Sequence, residues 1–189
     1  MSIDELLQAI EHKLSPAPPD ELSAFERSLG VSLPADYRRF LVACNGGYVG
    51  GRLWFEGPTP DGRSVDVGLH HIGGFRSEYY FSLGSARDTY GLRIPETLLW
   101  IMDDPFGNAI CLGLSGAHRG QVFFWDHEAE PDPDTWDGEM ETAGNLQLLA
   151  LSFGDFVAGL RYAPNEPSPR ARTQPLDAPQ MKKPWWRFW

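Results

Sequence analysis

Apolar residues follow helical spacing over the first 45 positions, break into short runs through the middle of the chain, and return to helical spacing near its last third. Ile3, Leu6, Leu7, Ile10 and Leu14 repeat at that spacing behind Ser2-x-x-Glu5, a capping-box pattern, and predict a first helix. Pro16, Pro18 and Pro19 end it. Asp20 is placed to cap a second helix, with Leu22, Phe25 and Leu29 facing inward and Gly30 closing it. Pro34 presets a helical φ and belongs in the first turn of a third. There Tyr37, Phe40, Leu41 and Cys44 fall at i, i+3, i+4 and i+7, an apolar stripe on one face. Asn45-Gly46-Gly47 then stops the helix, since glycine enters the left-handed region without a Cβ penalty.

From residue 52 to residue 125 the period changes. The stretches 52–56, 67–72, 97–102, 109–114 and 121–125 are rich in β-branched or aromatic residues and are separated by Gly, Pro, Asp and Asn. Residues 103–108 and 115–120 are expected to be hairpin connections, which predicts an antiparallel meander. Phe153, Phe156, Val157 and Leu160 predict a closing helix. The expected fold is α+β: N-terminal helices packed on a mostly antiparallel sheet, closed by a C-terminal helix. After Tyr162 the chain becomes proline-rich, with Pro164, Pro167, Pro169, Pro175 and Pro179, so residues 163–189 are expected to form an extended linker behind a domain of residues 1–162.

Four ordered segments resemble the SUKH superfamily, the domain shared by fungal cell-wall regulators and many bacterial immunity proteins. The first is Leu33-Pro34-Ala35-Asp36-Tyr37 with its exit at Asn45-Gly46-Gly47. The second is Asp103-Asp104-Pro105-Phe106-Gly107-Asn108 and the strand after it. The third is Val122-Phe123-Phe124-Trp125-Asp126-His127-Glu128, and the fourth Ser152-Phe153-Gly154-Asp155-Phe156. Asp104-Pro105 stiffens a turn that is often glycine-rich in such proteins, and this alters loop shape more than fold. The resemblance implies the α+β scaffold and a non-catalytic binding role, that of an immunity protein which inhibits a cognate toxin, often a nuclease. It also implies a structural hydrogen bond for His127. The other role known in such proteins is a scaffold that recruits envelope or signalling partners.

Charge sharpens that picture. The chain carries a formal −10, but residues 1–162 hold 24 acidic and 11 basic side chains, while residues 163–189 hold 2 and 5. An acidic body disfavours direct nucleic-acid binding and favours a basic protein partner, whose approach its field accelerates. The acid is concentrated: Asp126, Glu128, Glu130, Asp132, Asp134, Asp137, Glu139 and Glu141 lie in one segment without a Lys or Arg. Such a run is either a solvated loop or a docking surface for a cationic cleft, with Trp136 as its apolar anchor. A third use, calcium binding, lacks the EF-hand pattern, because Trp136 occupies position five and Gly138 falls one place late.

No catalytic or cofactor motif emerges. Gly113-Leu114-Ser115-Gly116 is not a nucleophile elbow, and neither a phosphate-cradling glycine loop nor H-E-x-x-H occurs. The chain is therefore expected to be no enzyme and to need neither cofactor nor metal. His70 and His71 are adjacent on a predicted strand, so their side chains are expected on opposite faces, unable to share a metal. Cys44 and Cys111 sit in apolar stretches and read as buried reduced thiols. Asp4 and Glu5 in the opening helix, with no apolar stretch of signal-peptide or membrane-span length, predict a cytoplasmic protein. The terminal cluster of Lys182, Lys183, Trp185, Trp186, Arg187, Phe188 and Trp189 has three readings: a tail folded back on its own domain, a weak membrane-interface anchor, or a motif docking in a partner's groove.

Overall fold

In the computed structural model, which describes residues 1–59, 63–75, 82–132 and 134–164, Ser2 caps helix α1 (Ile3–Ala9) through a complete capping box with Glu5. The helix is shorter than its apolar spacing predicts. Glu11 leaves it to exchange backbone hydrogen bonds with Tyr48 at 2.7 and 3.0 Å, and Leu14 N–H reaches the Gly46 carbonyl at 3.2 Å. A tertiary ladder thus takes the segment that local periodicity assigns to the helix. Helix α2 (Pro19–Leu29) begins behind Pro18, with Asp20 in its first turn and not at the cap, and ends at Gly30 with φ +71°. Helix α3 (Ala35–Ala43) follows Pro34, and Tyr37, Phe40, Leu41 and Cys44 are all fully buried.

The remaining elements are β1 (Gly47–Tyr48), β2 (Leu53–Pro58), β3 (Ser64–Gly68), β4 (His71–Ile72), α4 (Leu83–Tyr90), β5 (Leu98–Asp103), β6 (Ala109–Gly113), β7 (Val122–Trp125), β8 (Leu146–Ala150), α5 (Phe153–Gly159) and β9 (Arg161–Tyr162). They build a six-stranded sheet in the order β1-β4-β5-β6-β7-β8 and a three-stranded sheet in the order β3-β2-β9. Every ladder between named strands is antiparallel. The fold is α+β, as the sequence predicts.

The central strands β5, β6 and β7 are buried on both faces, with Asp103 at the end of β5 the one partly exposed position. One face presents Trp100, Cys111 and Trp125, over which Tyr90 of α4 packs with ring centroids 6.4 Å from Trp100 and 5.5 Å from Trp125. The other face presents Phe124, met by Phe55 of β2 at 6.1 Å. On that side Phe153 of α5 stands edge-on to Tyr37 at 5.1 Å and tilted to Phe40 at 5.3 Å. The same helices are joined by polar contacts: Asp36 accepts a hydrogen bond from Gly154 N–H at 2.9 Å, beside the Ser152 cap of α5.

The predicted strand over 67–72 is divided between the two sheets. Leu69 N–H still bonds to the Leu53 carbonyl, whereas His70 N–H bonds to that of Asp103. The chain changes sheets at this corner. Gly46 and Gly74 permit the close approach beside it: a Cβ on Gly46, at φ +89°, would lie 2.6 Å from the Ile72 carbonyl, and one on Gly74 would lie 1.9 Å from that of Asn45. Asn45, itself fully buried, accepts Phe75 N–H at 3.0 Å. The Asn-Gly-Gly exit therefore does more than end a helix; it holds the 72–75 segment.

Both cysteines are free and buried, and burial pushes each thiol pKa up. Two expectations follow from this packing. Phe153→Ala should cost about 3–5 kcal/mol in chemical denaturation, as for other buried Phe-to-Ala changes. A thiol reagent should leave Cys44 and Cys111 unlabelled in the native protein and label both after unfolding; fast native labelling of either would contradict the burial.

Candidate functional site

The turn between β5 and β6 is organised by one buried carboxylate. Asp104, 4 % exposed, accepts Phe106 N–H at 2.8 Å and Asn108 N–H at 2.9 Å on one oxygen, and the Asn108 side-chain amide at 2.7 Å on the other. A buried carboxylate is tolerated when donors satisfy it, and here three do. The Asn108 side-chain oxygen then accepts His127 N–H at 3.1 Å and faces His127 Nδ1 at 2.8 Å. His127 thus has the structural role that the resemblance implies. The effect is to fix the 104–108 turn against the end of β7, where the acidic segment begins. At the tip of that turn Phe106 is 76 % exposed, the most exposed large apolar side chain among the described residues.

The acidic segment lies in the connection between β7 and β8. Its ends are tied by Asp126 N–H to the Asn145 carbonyl at 3.0 Å and the Asn145 amide to the Asp126 carbonyl at 2.8 Å. Asp126 also caps the short 3-10 turn His127–Ala129, accepting Glu128 N–H at 2.9 Å. Glu130 pairs with Arg93, whose guanidinium lies 5.2 Å over the Trp125 ring and whose pKa that carboxylate raises. Asp132 accepts Asp134 N–H at 3.0 Å. Asp137 accepts Glu139 N–H at 3.0 Å and the Thr142 hydroxyl, and the hydroxyl bond foremost holds its pKa below the usual carboxylate value. Trp136 is half-buried, and its Nε1 donates to the Glu139 carbonyl and the Thr142 hydroxyl at 3.2 and 3.0 Å.

The eight carboxylates therefore divide into two groups. Asp126, Glu130, Asp132 and Asp137 hold the loop together. Glu128, Asp134, Glu139 and Glu141 are exposed, and their side chains accept no hydrogen bond from the described residues. The cluster of Lys182, Lys183, Trp185, Trp186, Arg187, Phe188 and Trp189 lies outside the described residues.

A second polar group was misplaced by strand alternation. His70 and His71 do not point to opposite faces; their ring centroids are 3.9 Å apart. The cause is the sheet corner. His70 N–H bonds to the Asp103 backbone carbonyl and His71 N–H to the Asp103 side chain at 2.8 Å, so two residues of one strand oppose one of the other, as in a β-bulge. The same carboxylate lies 3.0 Å from His71 Nδ1 and 3.8 Å from His70 Nδ1. Burial lowers the pKa of both histidines, with the neighbouring His71 adding to the effect at His70, and raises that of Asp103 to about 6. Tyr48 packs on both imidazoles, at 5.1 and 5.3 Å.

None of the described helices is long and apolar enough to cross a membrane. Comparison with known proteins agrees with the architecture. Residues 16–159 match the SMI1 / KNR4 family (SUKH-1). The chain is also 30% identical over 162 residues to the SPbeta prophage-derived uncharacterized protein YokK of Bacillus subtilis (strain 168), covering 78% of this chain and 76% of that protein.

The relay through Asn108 makes a specific demand. Asn108→Ala should destabilise the protein by about 1–3 kcal/mol, because His127 N–H and the Asp104 carboxylate each lose a partner. Hydrogen exchange should accelerate at residues 126–129 ahead of the helices; uniform acceleration would show that the relay does not hold the loop.

Proposed function

The chain belongs to the SMI1 / KNR4 family (SUKH-1), and from that premise we propose that it is an immunity protein, binding a cognate toxin and blocking its cationic site without catalysis. The observation that carries this reading is an exposed aromatic, Phe106, in the turn whose Asn108 holds His127, where the acidic segment begins, together with outward carboxylates in that segment that are unpaired among the described residues. Many toxins are nucleases, and a nuclease holds phosphate with cations. An inhibitor for such a cleft needs opposite charge to steer encounter and one desolvated apolar side chain to hold the complex. Glu128, Asp134, Glu139 and Glu141 meet the first need. Phe106 meets the second better than Trp136, because the Trp136 indole already bonds within its own loop. The prophage origin of the YokK relative fits a protein used in conflict between genetic elements.

The test starts with tagged full-length protein and native host lysate. Capture of one stoichiometric basic toxin, whose activity the protein abolishes, is the expected result. Capture of envelope or signalling proteins with no toxin would instead favour a recruiting scaffold. With the toxin in hand, replacing Glu128, Asp134, Glu139 and Glu141 by Lys should slow association by about tenfold or more at low salt and leave the fold intact. Phe106→Ala should act mainly on dissociation, also by about tenfold. Unchanged kinetics in both folded variants would refute this surface as the interface.

A further inference from the structure

The His70, His71 and Asp103 cluster has no part in the docking surface just described, and its geometry is that of a chelate. Each residue offers one ligand atom, and these atoms all lie within 4.8 Å of one another. Zinc binds imidazole nitrogen at about 2.0–2.1 Å, so the ligands of one tetrahedral ion sit roughly 3.4 Å apart. The cluster is therefore within about an ångström and a half of closing on an ion, a movement that side-chain rotation can supply. We propose that His70, His71 and Asp103 bind one divalent transition-metal ion of the zinc class, leaving a coordination position open to solvent.

Three features beyond proximity support the site. Its ligands come from a fixed frame: the sheet corner aims both imidazoles at Asp103, and Tyr48 packs on each of them. Its carboxylate is oriented from behind, since His71 N–H donates to Asp103 Oδ1 at 2.8 Å, the kind of support that fixes metal ligands. Its exposure is graded: the side chains of Asp103, His71 and His70 are 13, 17 and 31 % exposed, so the cluster is walled by protein and reached from the His70 side. Two imidazoles and one carboxylate select zinc, cobalt, nickel or copper over magnesium and calcium, which prefer all-oxygen sites. The bound ion would tie the start of β4 to the end of β5, and so stabilise that side of the larger sheet.

The bland reading of the same atoms is a His71–Asp103 hydrogen bond that only holds the corner. The two readings separate in a titration of metal-stripped, full-length protein with Zn²⁺, read by calorimetry and by thermal melting. The expected result is one equivalent bound in the micromolar range or tighter, with a higher Tm. Asp103→Asn, and separately the double variant His70→Gln with His71→Gln, should weaken binding by about 10–100-fold or more, while His118→Gln should leave it unchanged. Circular dichroism checks that each variant folds. Should neither cluster variant fold, zinc-edge X-ray absorption on the wild-type complex decides, and it must report two imidazole ligands. No binding up to about 1 mM Zn²⁺, affinity unaltered in the folded cluster variants, or a shell without two imidazoles would each overturn the proposal.

Discussion

Burial of β5, β6 and β7 on both faces is the constraint on which the rest of this structure depends. Where such a strand ends on a polar side chain that is still buried, that group must find its partners inside the protein. At the β5–β6 hairpin the solution is Asp104, which satisfies two backbone N–H groups and the amide of Asn108. Asn108 hands the restraint on to His127 at the end of β7. Three strand ends are thereby registered by one buried carboxylate, and the loop bearing the outward acids starts from a fixed point.

Asp103 and Asp104 are successive residues with opposite tasks. Asp104 reaches forward, into the turn and on to β7. Asp103 reaches back, taking His71 N–H on its side chain while its carbonyl takes His70 N–H. The backbone doubling at 70–71 is where the chain passes from the three-stranded sheet to the six-stranded one, and a bulge is a common way to turn such a corner. The strand switch and the close approach of the two imidazoles are one event. It also explains why a carboxylate beside two histidines is desolvated enough for its pKa to rise to about 6.

How far the sequence could be read follows from where local and tertiary preferences agree. Helix α3 and the strands β5 to β7 were legible because their apolar residues are buried at the spacing their own geometry requires. Helix α4 was not, since only Leu83 and Ala86 of its eight residues are buried. Strand β8 was missed because it lies at a sheet edge, with Leu148 exposed and its neighbours only partly covered. β1, β4 and β9 have two residues each, too few to show any period. In the candidate site the acidic run was visible by composition, but its division into loop-forming and outward carboxylates depends on Thr142, Arg93 and backbone donors that no charge count identifies. Phe106 carries a signal in the sequence itself: an aromatic in an Asp-Pro-x-Gly turn has no strand face on which to be buried.

That division bears on how the proposed docking surface would bind. Carboxylates committed to capping and ion pairing contribute to the field but are not free to reorganise around a partner's cations. Outward carboxylates on a loop tied at its ends would be free to do so, and would lose less conformational entropy on docking than on an untethered one. Steering by charge fades with salt, since exposed charges are screened beyond about 8–10 Å. A complex resting on carboxylates alone would therefore loosen at physiological ionic strength. In the proposed complex, an exposed Phe106 whose backbone is held by Asp104 would supply a contact that salt does not weaken, and that backbone hydrogen bond would reduce what must be ordered when it is buried.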